Sequence, residues 1–319
     1  MYTRILVPLD GSPLAEAILP EVVELARLHA AEVMLLRVAL AHTFPGADQT
    51  DAQVHAVEEA DGYLADVERR LAAQRIRVSR AVRYGHVAEE ILDHVQSRGA
   101  DLIAMSTHGR SGLPRWVLGS VAEAILRAAP VPVLLLRAAL PAPATTLAPA
   151  ETAAGMGGET AATRAQEPEL STPCLRHILC PVDFSQHSEK ALAYAGALAQ
   201  RFGADLTVLH VIYDPLDITC SHIPHPPLEH LREEMVRDAE HVLQSRVGGT
   251  LRFLPSVKTV VMAGRPYRQI IRCAREHHVD LIVMGTQGLS GLDRLIMGST
   301  AERVVRMAAC PVVSIRAAA

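Results

Sequence analysis

Short apolar blocks alternate with longer stretches that carry apolar residues at helical spacing along the first 137 residues. The short blocks predict β-strands at residues 3–9, 32–39, 76–83, 101–105 and 131–136, and the spaced stretches predict helices at 13–29, 52–74, 86–97 and from about 120 onward. Strands that alternate with helices indicate βαβ crossovers and a parallel sheet. Near-continuous apolar strands such as LIAM are typical of a sheet covered on both faces. We predict a doubly wound, five-stranded α/β domain.

The chain carries this pattern twice. The segment STHGRSGLPRWVLGS at 106–120 returns as GTQGLSGLDRLIMGS at 285–299, an offset of 179 residues. Nearer the start of each copy the offset is 173, because RILVPLDGS at 4–12 matches HILCPVDFS at 177–185. The second copy therefore holds six additional residues between Val211 and Gly264. We predict two α/β domains, since each copy is long enough to bury its own core.

A segment of different composition separates the copies. It reads AALPAPATTLAPAETAAGMGGETAATRAQEPELSTPC, is rich in Ala, Pro, Thr, Gly and Glu, and lacks periodic apolar positions. Such a segment cannot bury enough apolar surface to offset the entropy of ordering. We predict a first domain at 1–138, a flexible linker at 139–174 and a second domain at 175–319.

Composition excludes several classes of protein. The formal charge is −4 and no long basic run is present, so we expect no nucleic-acid partner. The opening MYTRILVPLD does not resemble a secretory signal, and no apolar run approaches the ~20 residues that span a membrane. Five scattered cysteines do not form a disulfide pattern, so we expect reduced thiols. We predict a cytoplasmic protein with no membrane partner.

The repeated segment has the composition of a phosphate-binding loop. It follows a predicted strand, contains Gly288 and Gly298, and leads into a helix that begins with Ser299-Thr300, or with Ser120-Val121 in the first copy. Glycine lets a ligand approach the main chain, and the first N–H groups of a helix favour an anion. The alternative is structural: the glycines only turn the chain and the serine only caps the helix.

These residues resemble the universal stress proteins in their tandem two-domain form. The nucleotide-binding members of that family carry Gly-x2-Gly-x9-Gly-Ser/Thr. The second copy has the complete motif, in Gly285, Gly288, Gly298 and Ser299. The first copy has Ser106 at the leading position, followed by Gly109, Gly119 and Ser120. The VPLD and PVDFS openings extend the resemblance to nearly the whole of both copies.

The resemblance implies a Rossmann-like fold of the adenine nucleotide alpha hydrolase type and an ATP site in each copy, with Mg²⁺ as a companion ion. The aspartate after the first strand would contact the adenosine part, and the end of the second strand would touch the adenine. The implied contacts are Asp10, Val38, Ser120 and Val121 in the first copy, and Asp183, Val211, Ser299 and Thr300 in the second. From the residues alone, each aspartate is also interpretable as a helix N-cap, and both roles could coexist.

Phosphoryl transfer usually needs a lysine from a Walker loop and a carboxylate that holds a metal ion. The chain contains only two lysines, Lys190 and Lys258, and neither follows a glycine-rich loop. We therefore expect a nucleotide-responsive module in stress adaptation or signalling rather than an enzyme. Two alternatives stay open: a slow Mg²⁺-dependent ATPase, and a nucleotide-free scaffold that binds other proteins.

The segment CSHIPHPPLEH at 220–230 contains side chains that can ligate zinc: Cys220, His222, His225 and His230. Their spacing matches no common zinc pattern, and the prolines indicate an irregular loop. We predict no metal site, and note these four residues as the group that would form one.

The last predicted strand of each copy is apolar, VPVLLLR at 131–137 and CPVVSIR at 310–316. An apolar strand at a sheet edge invites pairing unless it is covered. Antiparallel pairing of these two strands within one chain would cover both, and the family resemblance implies this internal pseudo-dimer. A homodimer and a signalling partner of unknown identity remain as further expectations.

Overall fold

The computed structural model describes residues 2–39, 49–107, 118–137, 175–213, 226–288 and 297–316. The predicted linker at 139–174 and most of both glycine-rich segments lie outside these ranges, as do Gly109, Cys220, His222 and His225. The domain boundaries proposed above therefore stay a prediction.

Within the described residues, each half of the chain contains five strands. In the first half they are β1 (Arg4–Pro8), β2 (Glu32–Ala39), β3 (Arg77–Tyr84), β4 (Leu102–Ser106) and β5 (Val133–Leu136). In the second half they are β6 (His177–Val182), β7 (Asp205–Ile212), β8 (Lys258–Ala263), β9 (Leu281–Gly285) and β10 (Val312–Ile315). The strands of the first half lie where the hydrophobic pattern predicts them, shifted by at most two residues at any end.

Helices connect the strands in the same order in both halves. The first half has α1 (Pro13–Glu16), α2 (Leu19–His29), α3 (Gln49–Ala73), α4 (Val87–Arg98) and α5 (Ser120–Ala128). The second half has α6 (Gln186–Phe202), α7 (Pro226–Thr250), α8 (Pro266–Glu276) and α9 (Ser299–Met307). Within the described residues, no helix has both the length and the apolar character required to cross a membrane.

The ten strands form one sheet in the order β3-β2-β1-β4-β5-β10-β9-β6-β7-β8. Within each half the strands are parallel and the order reverses beside β1 or β6, which confirms the doubly wound fold. The two halves join through antiparallel pairing of β5 with β10, in which Val313 lies opposite Leu134. The predicted pairing of the last strands is therefore correct, and it relates the halves as an internal pseudo-dimer.

Two helix layers cover the sheet. Apolar residues of α2, α3, α6 and α7 pack in one core, and apolar residues of α4, α5, α8 and α9 pack in a second core on the opposite face. The halves also meet at side chains: the hydroxyl groups of Tyr2 and Tyr194 contact each other, and the ring of His29 packs edge-on against Phe202 with the centroids 6.0 Å apart.

Two predicted elements need correction. Residues 13–29 form two helices rather than one, because Pro20 falls in the first turn of α2 and cannot continue the hydrogen bonds of a longer helix. The matching position in the uninterrupted helix α6 is Ala193. The prediction of an irregular loop at 220–230 is also wrong in part, because helix α7 begins at Pro226. A proline in the first turn of a helix costs no hydrogen bond.

The described cysteines agree with the expectation of reduced thiols. Cys180, Cys273 and Cys310 are free. Cys180 is fully buried in β6, and burial raises the pKa of its thiol far above the ordinary value. Burial also raises the pKa of the Cys310 thiol, to about 11. These thiols stay protonated near neutral pH and pack as small apolar groups.

Candidate functional site

Each half has a cavity at the carboxyl ends of its strands, where the strand order reverses. The cavity in the first half has a volume of about 530 Å³ and the cavity in the second about 480 Å³. Both fall in the range of small-molecule sites. The first is lined by Asp10, Val38, Ser106, Gly119, Ser120 and Val121. The second is lined by Asp183, Val211, Gly285, Gly288, Gly298, Ser299 and Thr300. The structure thus brings together every predicted site residue that it describes.

The two aspartates occupy the same tight turn in each half. Oδ1 of Asp10 accepts a hydrogen bond from the backbone N–H of Ser12 at 2.9 Å, and Oδ1 of Asp183 accepts one from Ser185 at 3.1 Å. The residue between them has a positive φ in both halves. This turn holds the carboxylate at the mouth of the cavity. The interpretation of the aspartates as helix N-caps is wrong, because the caps are the two serines.

The helices α5 and α9 begin at the cavities without a side-chain cap. Their N-cap residues are Gly119 and Gly298, so the alternative in which the following serine caps the helix is also wrong. The backbone N–H of each glycine donates to a carbonyl, that of Thr107 at 3.0 Å or Thr286 at 2.8 Å. The N-cap glycines offer no side chain to the first-turn N–H groups, and such N–H groups together with the positive end of the helix dipole favour an anion.

Close packing explains two of the glycines in the second half. A Cβ atom on Gly288 would collide with Oδ2 of Asp183, which links the loop to the aspartate directly. A Cβ atom on Gly285 would lie 3.1 Å from the carbonyl carbon and the Cβ of His187, at the start of α6. Gly288 therefore leaves no room for a side chain because the Asp183 carboxylate already lies there, and a side chain at Gly285 would require His187 to shift.

Ser106 takes the place of Gly285 in the first half. The residue is 7% exposed, and its Oγ is buried without a hydrogen-bond partner among the described residues. The hydroxyl is thus enclosed in the protein rather than presented to the cavity. Ser106 as a residue nonetheless lines the cavity.

Matched side chains near the ends of β2 and β7 differ between the halves, and Arg37, the member in the first half, lines the cavity. In the first half, Arg37 pairs with Glu59 at 3.0 Å and lies over the ring of Tyr63, 5.2 Å from its centroid. In the second half the matching residue is His210, which stacks on Phe184 at 4.2 Å. Sequence reasoning did not select these residues. A buried arginine within an apolar strand, EVMLLRVA, was the available signal.

The group of Cys220, His222, His225 and His230 is described only at its last member. His230 lies on α7, exposed, with its Nδ1 4.0 Å from Oε2 of Glu233. Among the residues that the structure describes, no three or more His, Cys, Asp or Glu side chains are placed to hold a metal ion. The prediction about a metal site in this segment is therefore still untested.

The continuous sheet, with a matched cavity at the strand ends of each half, defines a tandem Rossmann-like protein. The model of the universal stress protein family matches residues 1–137 and again residues 175–316. The chain therefore belongs to the universal stress protein family and carries the family's domain twice.

Relatives cover one or both halves. A universal stress protein of Mycolicibacterium smegmatis is 26% identical over 324 aligned residues, which span 98% of this chain and 96% of the relative. A single-domain universal stress protein of Thermus aquaticus is 35% identical over 139 residues, 44% of this chain and 97% of the relative. The crystal structure of a universal stress protein from Archaeoglobus fulgidus has a TM-score of 0.68 at 21% identity and covers 98% of both chains. This likeness concerns the fold of the whole chain.

Proposed function

We propose that this universal stress protein binds ATP at the two cavities and acts in stress adaptation or signalling. The observation that carries the proposal is the same in both halves. An uncapped helix N-terminus, a glycine N-cap and an aspartate held in a tight turn meet at one cavity. The helix end suits phosphate, and a carboxylate at a strand end suits a ribose hydroxyl.

The individual contacts follow from this placement. Asp10 and Asp183 would accept from the ribose, and the backbone at Val38 and Val211 would meet the adenine. The remaining lining residues would surround the phosphates: Ser106, Gly119, Ser120 and Val121 in the first half, and Gly285, Gly288, Gly298, Ser299 and Thr300 in the second. Gly109 would join the first loop. Mg²⁺ would be carried by the phosphates, since the described residues offer no cluster of metal-binding side chains.

We propose that the protein senses a nucleotide and does not act as a catalyst. The reduced thiols favour a cytoplasmic location for it. A slow ATPase is the second candidate. It is favoured by one observation only, the carboxylates of Asp10 and Asp183 at the cavity mouths. A nucleotide-free scaffold is the third.

Calorimetric titration of the full chain with ATP and Mg²⁺ tests the proposal. Two variants block one helix end each. Gly119→Val places a Cβ 2.9 Å from the Thr107 carbonyl oxygen, and Gly298→Val places one 3.3 Å from the Thr286 carbonyl oxygen. Gly248→Val is the matched control, because a Cβ on that residue of α7 meets no atom within 4 Å.

We expect two sites in the wild type and in the control, and one site in each loop variant. Release of phosphate during the titration would favour the ATPase. Absence of binding heat in a wild type that is folded by circular dichroism would refute the ATP proposal and leave the scaffold.

A further inference from the structure

Four helices form the outer surface of one face of the sheet. Their buried residues share a single core, with Ile91 of α4 and Ile125 of α5 in the first half, and Ile270 of α8 and Val304 of α9 in the second. We call the exposed sides of these pairs the α4/α5 surface and the α8/α9 surface. Because both pairs pack on the same face, the two surfaces point in the same direction.

Matched positions on these two surfaces carry opposite charges. Glu89 and Asp93 are exposed on α4, one helical turn apart. Adding the offset of 179 gives Arg268 and Arg272, which are exposed on α8. The two copies therefore share this helix but carry opposite charges at both positions. Exposed helix positions accept either sign, so the fold itself leaves the charge at both positions free.

The inversion extends to the whole surface. Helices α4 and α5 together contain four acidic side chains and two arginines, whereas α8 and α9 contain five arginines and two acidic side chains. Some charges are locally paired. On the α8/α9 surface, Arg272 lies 3.6 Å from Glu276 and Arg306 lies 2.5 Å from Glu302. On the α4/α5 surface, Arg127 pairs with Glu123, and Arg83 of β3 lies 3.6 Å from Glu90 and 4.0 Å from Asp93, so that among the described residues Glu89 carries the unpaired negative charge. The α8/α9 surface keeps an excess of positive charge after this pairing, and Arg303 lies over the Tyr267 ring at 4.8 Å within it.

The approximate two-fold symmetry of the chain sets where these oppositely charged surfaces lie. Antiparallel pairing of β5 with β10 places an approximate two-fold axis perpendicular to the sheet, so that the α4/α5 and α8/α9 surfaces lie on opposite sides of that axis. A second copy turned over about an axis in the plane of the helix layer can therefore set its basic surface on the acidic surface of the first. The reverse contact then forms at the same time, as in any isologous dimer.

We propose that a second copy of this chain docks on this face, with the α4/α5 surface of each protomer against the α8/α9 surface of the other. A second copy fits better than an unrelated acidic partner, because it satisfies both signs and closes the assembly. Among the described residues, none of the large exposed apolar side chains lies on α4, α5, α8 or α9. Charge rather than apolar burial therefore carries the contact, and the dimer should be reversible and salt-sensitive.

Sedimentation analysis of the full chain tests this proposal with two reversal variants. Glu89→Arg with Asp93→Arg makes both surfaces basic, and Arg268→Glu with Arg272→Glu makes both acidic. We expect the wild type to dimerise at a salt concentration of about 0.02 M and to dissociate at about 0.5 M, where screening is strong. Each variant alone should have a dissociation constant raised at least about tenfold, because like charges then face each other.

Two further arms separate a specific contact from a general effect of charge. An equimolar mixture of the two reversal variants should form a heterodimer, and the chain with all four substitutions should recover the wild-type dissociation constant. The control Glu234→Arg with Asp238→Arg reverses two exposed acids at the same spacing on α7, on the opposite face, and should not weaken the dimer.

A folded wild type that is monomeric at low salt, at concentrations on the order of 100 µM, would overturn the proposal. An association that survives in both reversal variants, or that the four-fold variant fails to restore, would place the contact elsewhere and overturn it equally. Circular dichroism of every variant establishes that the fold is retained.

Discussion

The matched positions 106 and 285 predict stability changes of opposite sign from small substitutions. Ser106→Ala deletes a hydroxyl that is buried and unpartnered within the described structure, and keeps the Cβ. Gly285→Ala adds a Cβ where the backbone of His187 already lies at 3.1 Å. The same alanine at the same place in the fold should therefore stabilise one half of the chain and destabilise the other.

The magnitudes follow from the local environment. A buried hydroxyl without a partner costs about 1–3 kcal/mol, because it loses water and gains nothing in exchange. Deleting it leaves a void of about one oxygen atom, which costs roughly 0.5 kcal/mol. We expect Ser106→Ala to raise the free energy of unfolding by about 1 kcal/mol. Gly285→Ala should lower it by about 1–3 kcal/mol, since the added Cβ meets the backbone and the Cβ of His187 at 3.1 Å and requires His187 to shift.

Urea unfolding followed by circular dichroism measures both changes. The variant Ser106→Gly provides an internal check, because it should be about 0.5–1 kcal/mol less stable than Ser106→Ala owing to backbone entropy alone. Titration with ATP should show the same affinity for the wild type and Ser106→Ala if the hydroxyl is enclosed as the structure indicates. A loss of stability in Ser106→Ala, or a tolerated Gly285→Ala, would refute the reasoning.

Two further predictions concern the pH dependence of stability and a buried charge. Burial lowers the pKa of His29 from 6.5 to about 4. As the pH falls, the unfolded chain therefore binds a proton at His29 before the folded chain does. Stability that is present above pH 6.5 should be lost as the pH falls towards 4. We expect this loss of unfolding free energy to be about 1–2 kcal/mol after allowance for partial exposure. The melting temperature should depend less on pH in His29→Phe than in the wild type. An equal pH dependence in both proteins would contradict the assignment to His29. Arg37→Met should cost about 1 kcal/mol, because the stem still packs on Tyr63, while Arg37→Ala should cost about 2–3 kcal/mol in urea unfolding. Glu59→Gln should change little, since that side chain is 70% exposed, and a large effect there would assign the energy to the ion pair instead.

The fold was predictable because its main signals are local. Strands of four to eight apolar residues and helices with one apolar stripe appear in the sequence pattern itself, and the repeat showed that the arrangement occurs twice. The wrong prediction of a single helix at 13–29 also has a local cause. The spacing of apolar residues continues across Pro20, but this spacing carries no information about backbone hydrogen bonds, which the proline ring interrupts.

The candidate site was predictable as a set of residues, and less so in the role of each residue. Asp10 and Asp183 were interpretable as caps or as ligand contacts, and only the backbone geometry showed that the serines two residues later cap the helices. Arg37 was missed as a lining residue, because its position beside the cavity depends on contact with a residue of another element, Glu59 of α3.

The sequence by itself determined the class of fold and the duplication, and it supplied the glycine-loop motif and the apolar last strands on which the predictions of the site and of the strand pairing rest. These properties rest on composition and spacing, which act over a few residues at a time. Only the tertiary structure decided which serine hydroxyl is enclosed, which glycine supports which aspartate, and that the inverted charges of α4 and α8 share one face of the sheet. Those facts depend on distances between segments up to 179 residues apart, and such distances exist only once the chain has folded.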